Sequence, residues 1–136
     1  MTESASETLT NLCKALDRLN DALLVLERDD GSLRSYLQDG AIQRFEFCFE
    51  LTWQLLAKLH KDAGAPAAGP RPALKAAYAV GWIDDEQAWL EMLEDRNMTA
   101  HVYDEAVTTA IAGRLPGHLA AMRVLVGKVG TVGVAI

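Results

Sequence analysis

The stretch LTNLCKALDRLNDALLVL, residues 9 to 26, carries leucines at alternating intervals of three and four positions. The leucines of this seam are Leu9, Leu12, Leu16, Leu19, Leu23 and Leu26. Such spacing places them along one side of a helix, so we predict an amphipathic helix of about 20 residues. Ser4 with Glu7 fits a capping box at its start, and residues 29–32 predict its end. The seam favours packing inside the chain's own bundle over an exposed zipper for a partner.

A second helix is predicted from about Ser35 to Asp62, with a wide apolar face. The residues at helical spacing on this face are Phe45, Phe49, Thr52 or Trp53, Leu56 and Leu59, and it is widened by Phe47, Cys48, Leu51 and Leu55. A helix with so wide an apolar face is deeply buried or contacts another subunit. Aromatic residues at this spacing are typical of a core, and their density also suits a dimer interface.

The remainder of the chain predicts shorter helices joined by short connections. The Pro/Gly-rich segment 63–72 is too short to separate two domains. After it we predict a short helix over about 73–80 that stops at Gly81. The next helix, DEQAWLEMLED, is capped by Asp84 or Asp85. A further helix runs from about Thr99 to Ile111, and Pro116 breaks or kinks the chain before a last helix over 117–129.

No stretch of the sequence shows a convincing set of alternating strands. We therefore predict one domain over residues 1–136: an all-α bundle of four to five helices with short connections. Residues from about 130 to 136, GTVGVAI, are expected to fray.

Composition and charge limit the functions that the chain can have. Half of the 136 residues are hydrophobic and 24% are charged, as in an ordinary globular protein. No apolar run reaches the roughly 18 residues that a bilayer span needs, and the start lacks the apolar core of a signal peptide. We expect a cytoplasmic protein without a membrane partner. A net charge of −6 argues against a broad basic surface for nucleic acid, but leaves room for a small cationic site.

The two cysteines, Cys13 and Cys48, lie inside helical apolar patterns. We predict that both are buried thiols without a disulfide. Neither has a second cysteine or a histidine at metal-ligand spacing, and we predict neither a metal site nor a cofactor.

The segment RNMTAHVY, residues 96 to 103, holds the candidate chemistry. Arg96 offers a permanent charge and a planar fork of donors that matches a phosphate. His101 can take and return a proton near neutral pH. Together they could support attack by a ribose 2′-hydroxyl on its own phosphodiester, with histidine as base and arginine stabilising the charge on phosphorus. Such a reaction needs no metal ion.

Helix geometry complicates this interpretation. At about 100° per residue, Arg96 and Tyr103 lie within about 20° of each other, whereas His101 lies about 140° from Arg96. Either the backbone bends near residues 97–99, or groups from two subunits meet.

A structural interpretation also fits the same residues. In it, Glu94, Asp95 and Arg96 form a solvated, ion-paired face, and His101 is a surface histidine. His60, at a helix end, and His118, near Pro116, are expected to be structural.

The sequence resembles the HEPN superfamily, whose signature is Arg-x4–6-His with a polar residue after the arginine, here Arg96, Asn97 and His101. More narrowly it resembles the HepT-like group, once described as nucleotidyltransferase substrate-binding proteins, whose Arg-x4-His-x-Tyr also takes in Tyr103. GAIQRFEFCFELTWQLL, residues 40–56, and GWIDDEQAWLEMLEDRNMTAH, residues 81–101, are similar to segments of that group. The resemblance covers roughly residues 40–111.

The resemblance implies an all-α, antiparallel up-and-down helical bundle that dimerises, with both Arg-His pairs facing a cleft between subunits. It implies a metal-independent endoribonuclease with Arg96 and His101 as catalytic residues and Asn97 in support. Such a protein would be the toxin of a toxin–antitoxin pair. Its partner, a minimal nucleotidyltransferase, would be the antitoxin and would neutralise it by adenylylating Tyr103. The alternative is a non-catalytic subunit that presents substrate to a nucleotidyltransferase or regulates it.

Overall fold

A computed structural model describes residues 1–101 and 104–135 of the chain, with side chains described as far as residue 130. Helix α1 spans Glu3–Arg28, α2 Arg34–Asp62, α3 Pro70–Ala79, α4 Glu86–Met98 and α5 Glu105–Ala135, with a 3₁₀ turn at Thr99–His101 between α4 and α5. Within these residues there is no strand, and the predicted all-α class is confirmed. Dimerisation and a frayed end after about residue 130 stay predictions.

The leucine seam of α1 lies inside the bundle, as predicted. Leu12, Leu16 and Leu19 are buried, and α1 packs along α2, where Phe45 and Phe49 are fully buried. Both helices then contact α5, so the core lies between α1, α2 and α5. Among the described residues, no helix is long and apolar enough to cross a membrane.

Side-chain caps fix where α1 and α4 begin. Thr2 caps α1, since its hydroxyl accepts the backbone N–H of Ala5 at 3.2 Å. The predicted Ser4–Glu7 capping box is therefore wrong, because the helix starts at Glu3 and already contains Ser4. Asp85 caps α4 by accepting the N–H of Ala88 at 3.1 Å, which is one of the two caps predicted.

Two glycines with positive φ end α2 and α3 in the same way. At the end of α3, Gly81 (φ 83°) donates its N–H to the carbonyl of Tyr78, and Trp82 donates to Ala77. Gly64 (φ 79°) makes the equivalent turn after α2. These paired bonds satisfy carbonyls that a helix end leaves open. The turn at Gly81 brings the Trp82 ring onto His60, with ring centroids 4.9 Å apart.

Three further predictions about the chain are wrong. The helix predicted from Thr99 begins only at Glu105, where the Asp104 carboxylate accepts the N–H groups of Ala106 and Val107. Of the two outcomes predicted at Pro116, the break is wrong, because Pro116 lies within α5 and does not end it. A proline inside a helix costs about 3 kcal/mol, a cost that burial of apolar side chains such as Leu115 on the same helix offsets.

The third wrong prediction concerns Cys13, which is exposed, whereas Cys48 is buried as expected. Burial raises the pKa of the Cys48 thiol to about 12. Cys13 lies next to Leu12 on α1 but about 100° around the helix, which turns it away from the core.

Candidate functional site

The RNMTAHVY segment spans a change of backbone geometry. Arg96 lies in the last turn of α4, and His101 ends the 3₁₀ turn that follows. Thr99 fixes this junction by donating its hydroxyl to the carbonyl of Arg96 at 2.7 Å. The helix interruption considered as one solution to the geometric problem is therefore present, and the angle of an ideal helix does not apply. Asn97 and His101 are both exposed.

Arg96 reaches across to α2. Its Nη2 donates to Oε1 of Glu50 at 2.9 Å, and both side chains are about a third exposed. The other carboxylate oxygen of Glu50 accepts the indole N–H of Trp53, one turn further along α2. A pair with this partial exposure is accessible to a ligand, and solvent screens it less than a fully exposed pair.

The residue before Arg96 faces α5 instead. Asp95 is buried and accepts two hydrogen bonds from Arg114, at 2.7 and 2.8 Å, and one from Nε2 of His118 at 2.7 Å. An ionised carboxylate can only accept, so Nε2 of His118 carries the proton in this bond. The His118 ring stacks on Phe45, with centroids 5.3 Å apart.

Electrostatics favour the charged form of Asp95. Burial by itself raises the pKa of Asp95, but the hydrogen bonds and charges of Arg114 and His118 outweigh it and hold the pKa below its ordinary value. The interpretation of Glu94, Asp95 and Arg96 as one solvated face is therefore wrong for Asp95. Because consecutive helix residues point about 100° apart, one faces α5 while the next faces α2.

The sequence reasoning missed this cluster, in which Asp95 and His118 are buried and Arg114 is half-exposed. Arg114 and His118 are four positions apart and so share one face of α5, a detectable signal. Their carboxylate partner lies 19 and 23 positions away and has no local signal. His60 fits its predicted structural role, since Nε2 bonds to the carbonyl of Ala73 at 3.0 Å in a buried setting.

Tyr103, the predicted modification site, lies outside the described residues. Among residues 1–101 and 104–130, no group of three or more His, Cys, Asp or Glu side chains is arranged to hold a metal ion. The described part of the site thus contains the partly exposed Arg96 guanidinium, paired with the Glu50 carboxylate. His101, five positions later, is exposed. Such a pair can bind an anion and transfer a proton.

Comparison with known proteins places this site in context. A family model described as nucleotidyltransferase substrate binding protein like matches residues 7–129. A protein of Haemophilus influenzae named Probable ribonuclease HepT is 33% identical over 85 residues, which cover 59% of this chain. The match spans 58% of that relative's length.

Two solved structures share the fold. One is a protein of Thermus thermophilus, 32% identical, with a TM-score of 0.76 over 86% of this chain and 97% of the other. The second, from Haemophilus influenzae, is 26% identical, with a TM-score of 0.77 over 88% of this chain and 97% of the other. Its structure is described as the fold of a substrate-binding domain of a nucleotidyltransferase.

Proposed function

The chain belongs to the family of nucleotidyltransferase substrate binding protein like proteins, and from this premise we propose that it is a metal-independent endoribonuclease. The observation that carries the proposal is the Arg96–His101 pair at the end of α4, in a chain similar to a probable ribonuclease. Histidine can supply the base, and arginine the charge stabilisation, for cleavage of RNA by its own 2′-hydroxyl.

In the proposed reaction, His101 takes the proton from a ribose 2′-hydroxyl. The 2′-oxygen then attacks the neighbouring phosphorus, and the bond from phosphorus to the 5′-oxygen breaks. The leaving 5′-oxygen takes a proton from water, and His101 returns its proton to the solvent. Arg96 stabilises the negative charge that develops on the phosphoryl oxygens. The products are a 2′,3′-cyclic phosphate and a free 5′-hydroxyl. Asn97, exposed beside Arg96, supports binding of the RNA backbone.

We place this site in the cleft of a homodimer. The chain is acidic overall, so affinity for RNA has to come from a local concentration of cations, which two copies of Arg96 would provide. Phe47 on α2 is 49% exposed and Met98 at the end of α4 is 38% exposed, two large apolar side chains on the elements that carry Glu50 and Arg96. Burial of such side chains favours association.

We further propose that the protein is the toxin of a toxin–antitoxin pair in the cytoplasm. Its antitoxin would be a minimal nucleotidyltransferase that adenylylates Tyr103. The family description and the solved relative both name a nucleotidyltransferase, which supports such a partner.

The test is cleavage of a defined RNA by the wild type and three variants. Arg96→Ala and His101→Ala should each lower the rate by about 10²–10⁴-fold, because each removes a group that acts in the transition state. Arg18→Ala, an exposed arginine on α1, is the matched control and should retain wild-type activity. The products should carry a 2′,3′-cyclic phosphate, and EDTA should not inhibit. Activity that survives in both site variants, or that requires Mg²⁺, would contradict the mechanism.

A second candidate is a non-catalytic subunit that presents substrate to a nucleotidyltransferase or regulates it. The description of the solved Haemophilus influenzae relative as a substrate-binding domain favours it. An unmodified wild type that binds a nucleotidyltransferase but cleaves no RNA would support this candidate over the ribonuclease.

A further inference from the structure

We infer that Glu50 is a positioning residue for Arg96, holding the guanidinium so that it faces the scissile phosphate. The inference rests on the proposed ribonuclease function and adds to that site a residue 46 positions away along the chain. Glu50 itself does not touch the reacting atoms.

The geometry of the pair supports positioning. Arg96 is a long side chain with several rotatable bonds, and an unbraced side chain of this kind samples many rotamers. The 2.9 Å bond to Glu50 restricts that sampling by tying the guanidinium to the body of α2. A guanidinium has five N–H donors, so a bond from one terminal nitrogen to one oxygen does not use up its capacity to bind a phosphate.

The carboxylate is itself held in place. Its second oxygen accepts the indole N–H of Trp53, and Trp53 packs against the hydrophobic core. Glu50 and Trp53 are three positions apart on one helix, a spacing that keeps side chains adjacent. A carboxylate that merely competed with RNA for Arg96 would have to swing away when a phosphate arrives. The Trp53 bond opposes that movement, so the arrangement favours a brace over a competitor.

The location of the pair explains why a brace is needed. Arg96 lies in the last turn of α4, where the chain changes to a 3₁₀ turn and the following helix begins only at Glu105. The Asp95 cluster fixes the backbone of this turn against α5, but its hydrogen bonds do not involve the Arg96 side chain. In the described residues, Glu50 is the side chain that connects the Arg96 guanidinium to another element.

Single-turnover RNA cleavage by four variants tests the inference. Glu50→Ala should lower the maximal rate by about 10- to 100-fold, the effect of a misplaced catalytic group, while the dissociation constant for RNA stays nearly unchanged. Glu50→Gln keeps only one of the two hydrogen bonds, because its amide nitrogen cannot accept. The loss of maximal rate should therefore be smaller than in Glu50→Ala. Trp53→Phe leaves the charge but removes the anchor and should also give an intermediate loss. Glu46→Ala, one turn earlier on α2, is the matched control and should behave as wild type.

Two results would overturn the inference. An unchanged maximal rate in Glu50→Ala would show that the brace is dispensable. Tighter RNA binding together with a faster rate would show that Glu50 competes with the substrate. Thermal unfolding of each variant shows whether a loss of rate comes from unfolding. If Glu50→Ala is unfolded, the maximal rates of Glu50→Gln and Trp53→Phe decide whether Glu50 positions Arg96.

A second readout is independent of activity. The Nη2–H resonance of Arg96, the donor to Glu50, is assigned by its loss in Arg96→Lys. It should be sharp and slow to exchange in wild type and Glu46→Ala, and broadened in Glu50→Ala. A resonance that does not change would refute positioning even in an active enzyme. If the wild type cleaves no RNA, the proposed function fails, and this resonance still decides whether Glu50 holds Arg96.

Discussion

At the scale of single residues, the end of α4 is held by side-chain contacts to two helices, α5 and α2. Asp95 binds Arg114 and His118 on α5, and the next residue, Arg96, binds Glu50 on α2. In the first contact Asp95 and His118 are buried and Arg114 is half-exposed, whereas both partners of the second contact are partly exposed. The buried contact should therefore matter more for stability, and the exposed contact for binding a ligand.

The Asp95 cluster predicts a large loss of stability in Asp95→Asn. Removing the charge leaves His118 buried with a weakened partner, and we expect a cost of about 2–3 kcal/mol, reduced because Arg114 is half-exposed. Asp17→Asn is the matched control. Its bond to Arg123 is 3.6 Å long and Asp17 is largely exposed, so the loss should be below about 1 kcal/mol. Urea unfolding at neutral pH measures the loss of stability in both variants.

The pH dependence of the stability difference between wild type and Asp95→Asn has a defined sign. The pKa of Asp95 is lower in the folded protein than its ordinary value of 3.8, so its stabilising contribution is complete above that value. The contribution is lost as the pH falls through the lowered pKa. The difference in unfolding free energy between wild type and Asp95→Asn should therefore shrink only below about pH 4. A difference that already shrinks between pH 7 and 5 would point to another group.

Tyr103 carries a separate prediction at this scale. Incubation with the partner nucleotidyltransferase and ATP should add AMP to Tyr103, the acceptor that the resemblance to the HepT-like group implies. RNase activity should fall in step with the modification. Peptide mapping by mass spectrometry locates the site, and Tyr103→Phe should stay unmodified there. Equal AMP incorporation in Tyr103→Phe would rule this position out as the acceptor.

At the scale of elements, the ends of the helices are set by glycine and capping residues. Gly81→Ala should destabilise the protein by about 1–2 kcal/mol, because alanine is strained at a φ of 83°. The control is Gly40→Ala, inside α2, where a methyl group meets nothing within 4 Å. That change should stabilise by about 0.5–1 kcal/mol through helix propensity. Thermal unfolding of the two variants should shift in opposite directions, and equal shifts would contradict this account of the turn.

At the scale of the whole molecule, the open question is the proposed dimer. Light scattering at micromolar concentration should give twice the chain mass. Phe47→Asp should give monomers, since a carboxylate would be buried unpaired at the interface. Tyr36→Asp is the matched control: Tyr36 is an aromatic on the same helix, 74% exposed, and its replacement should leave the dimer intact. A wild-type monomer that still cleaves RNA would refute the shared cleft.

The helical character of the chain could be predicted from the sequence alone, because an amphipathic helix has a local period of apolar residues. The leucine seam, the bounds of α2 to within one residue and the Asp85 cap all depend on residues within a few positions of each other. The spacing of Arg96 and His101 is also local. These features could be predicted without knowledge of what packs against them.

The tertiary structure alone decided which residues Arg96 and Asp95 bind. Their partners lie on other helices, 46, 19 and 23 positions away, and no periodic pattern connects residues across such distances. It also decided that Pro116 stays inside α5, because packing energy outweighs a local penalty. Local spacing shows which side of a helix is apolar, but the direction in which each remaining side chain points is settled only when the helices pack.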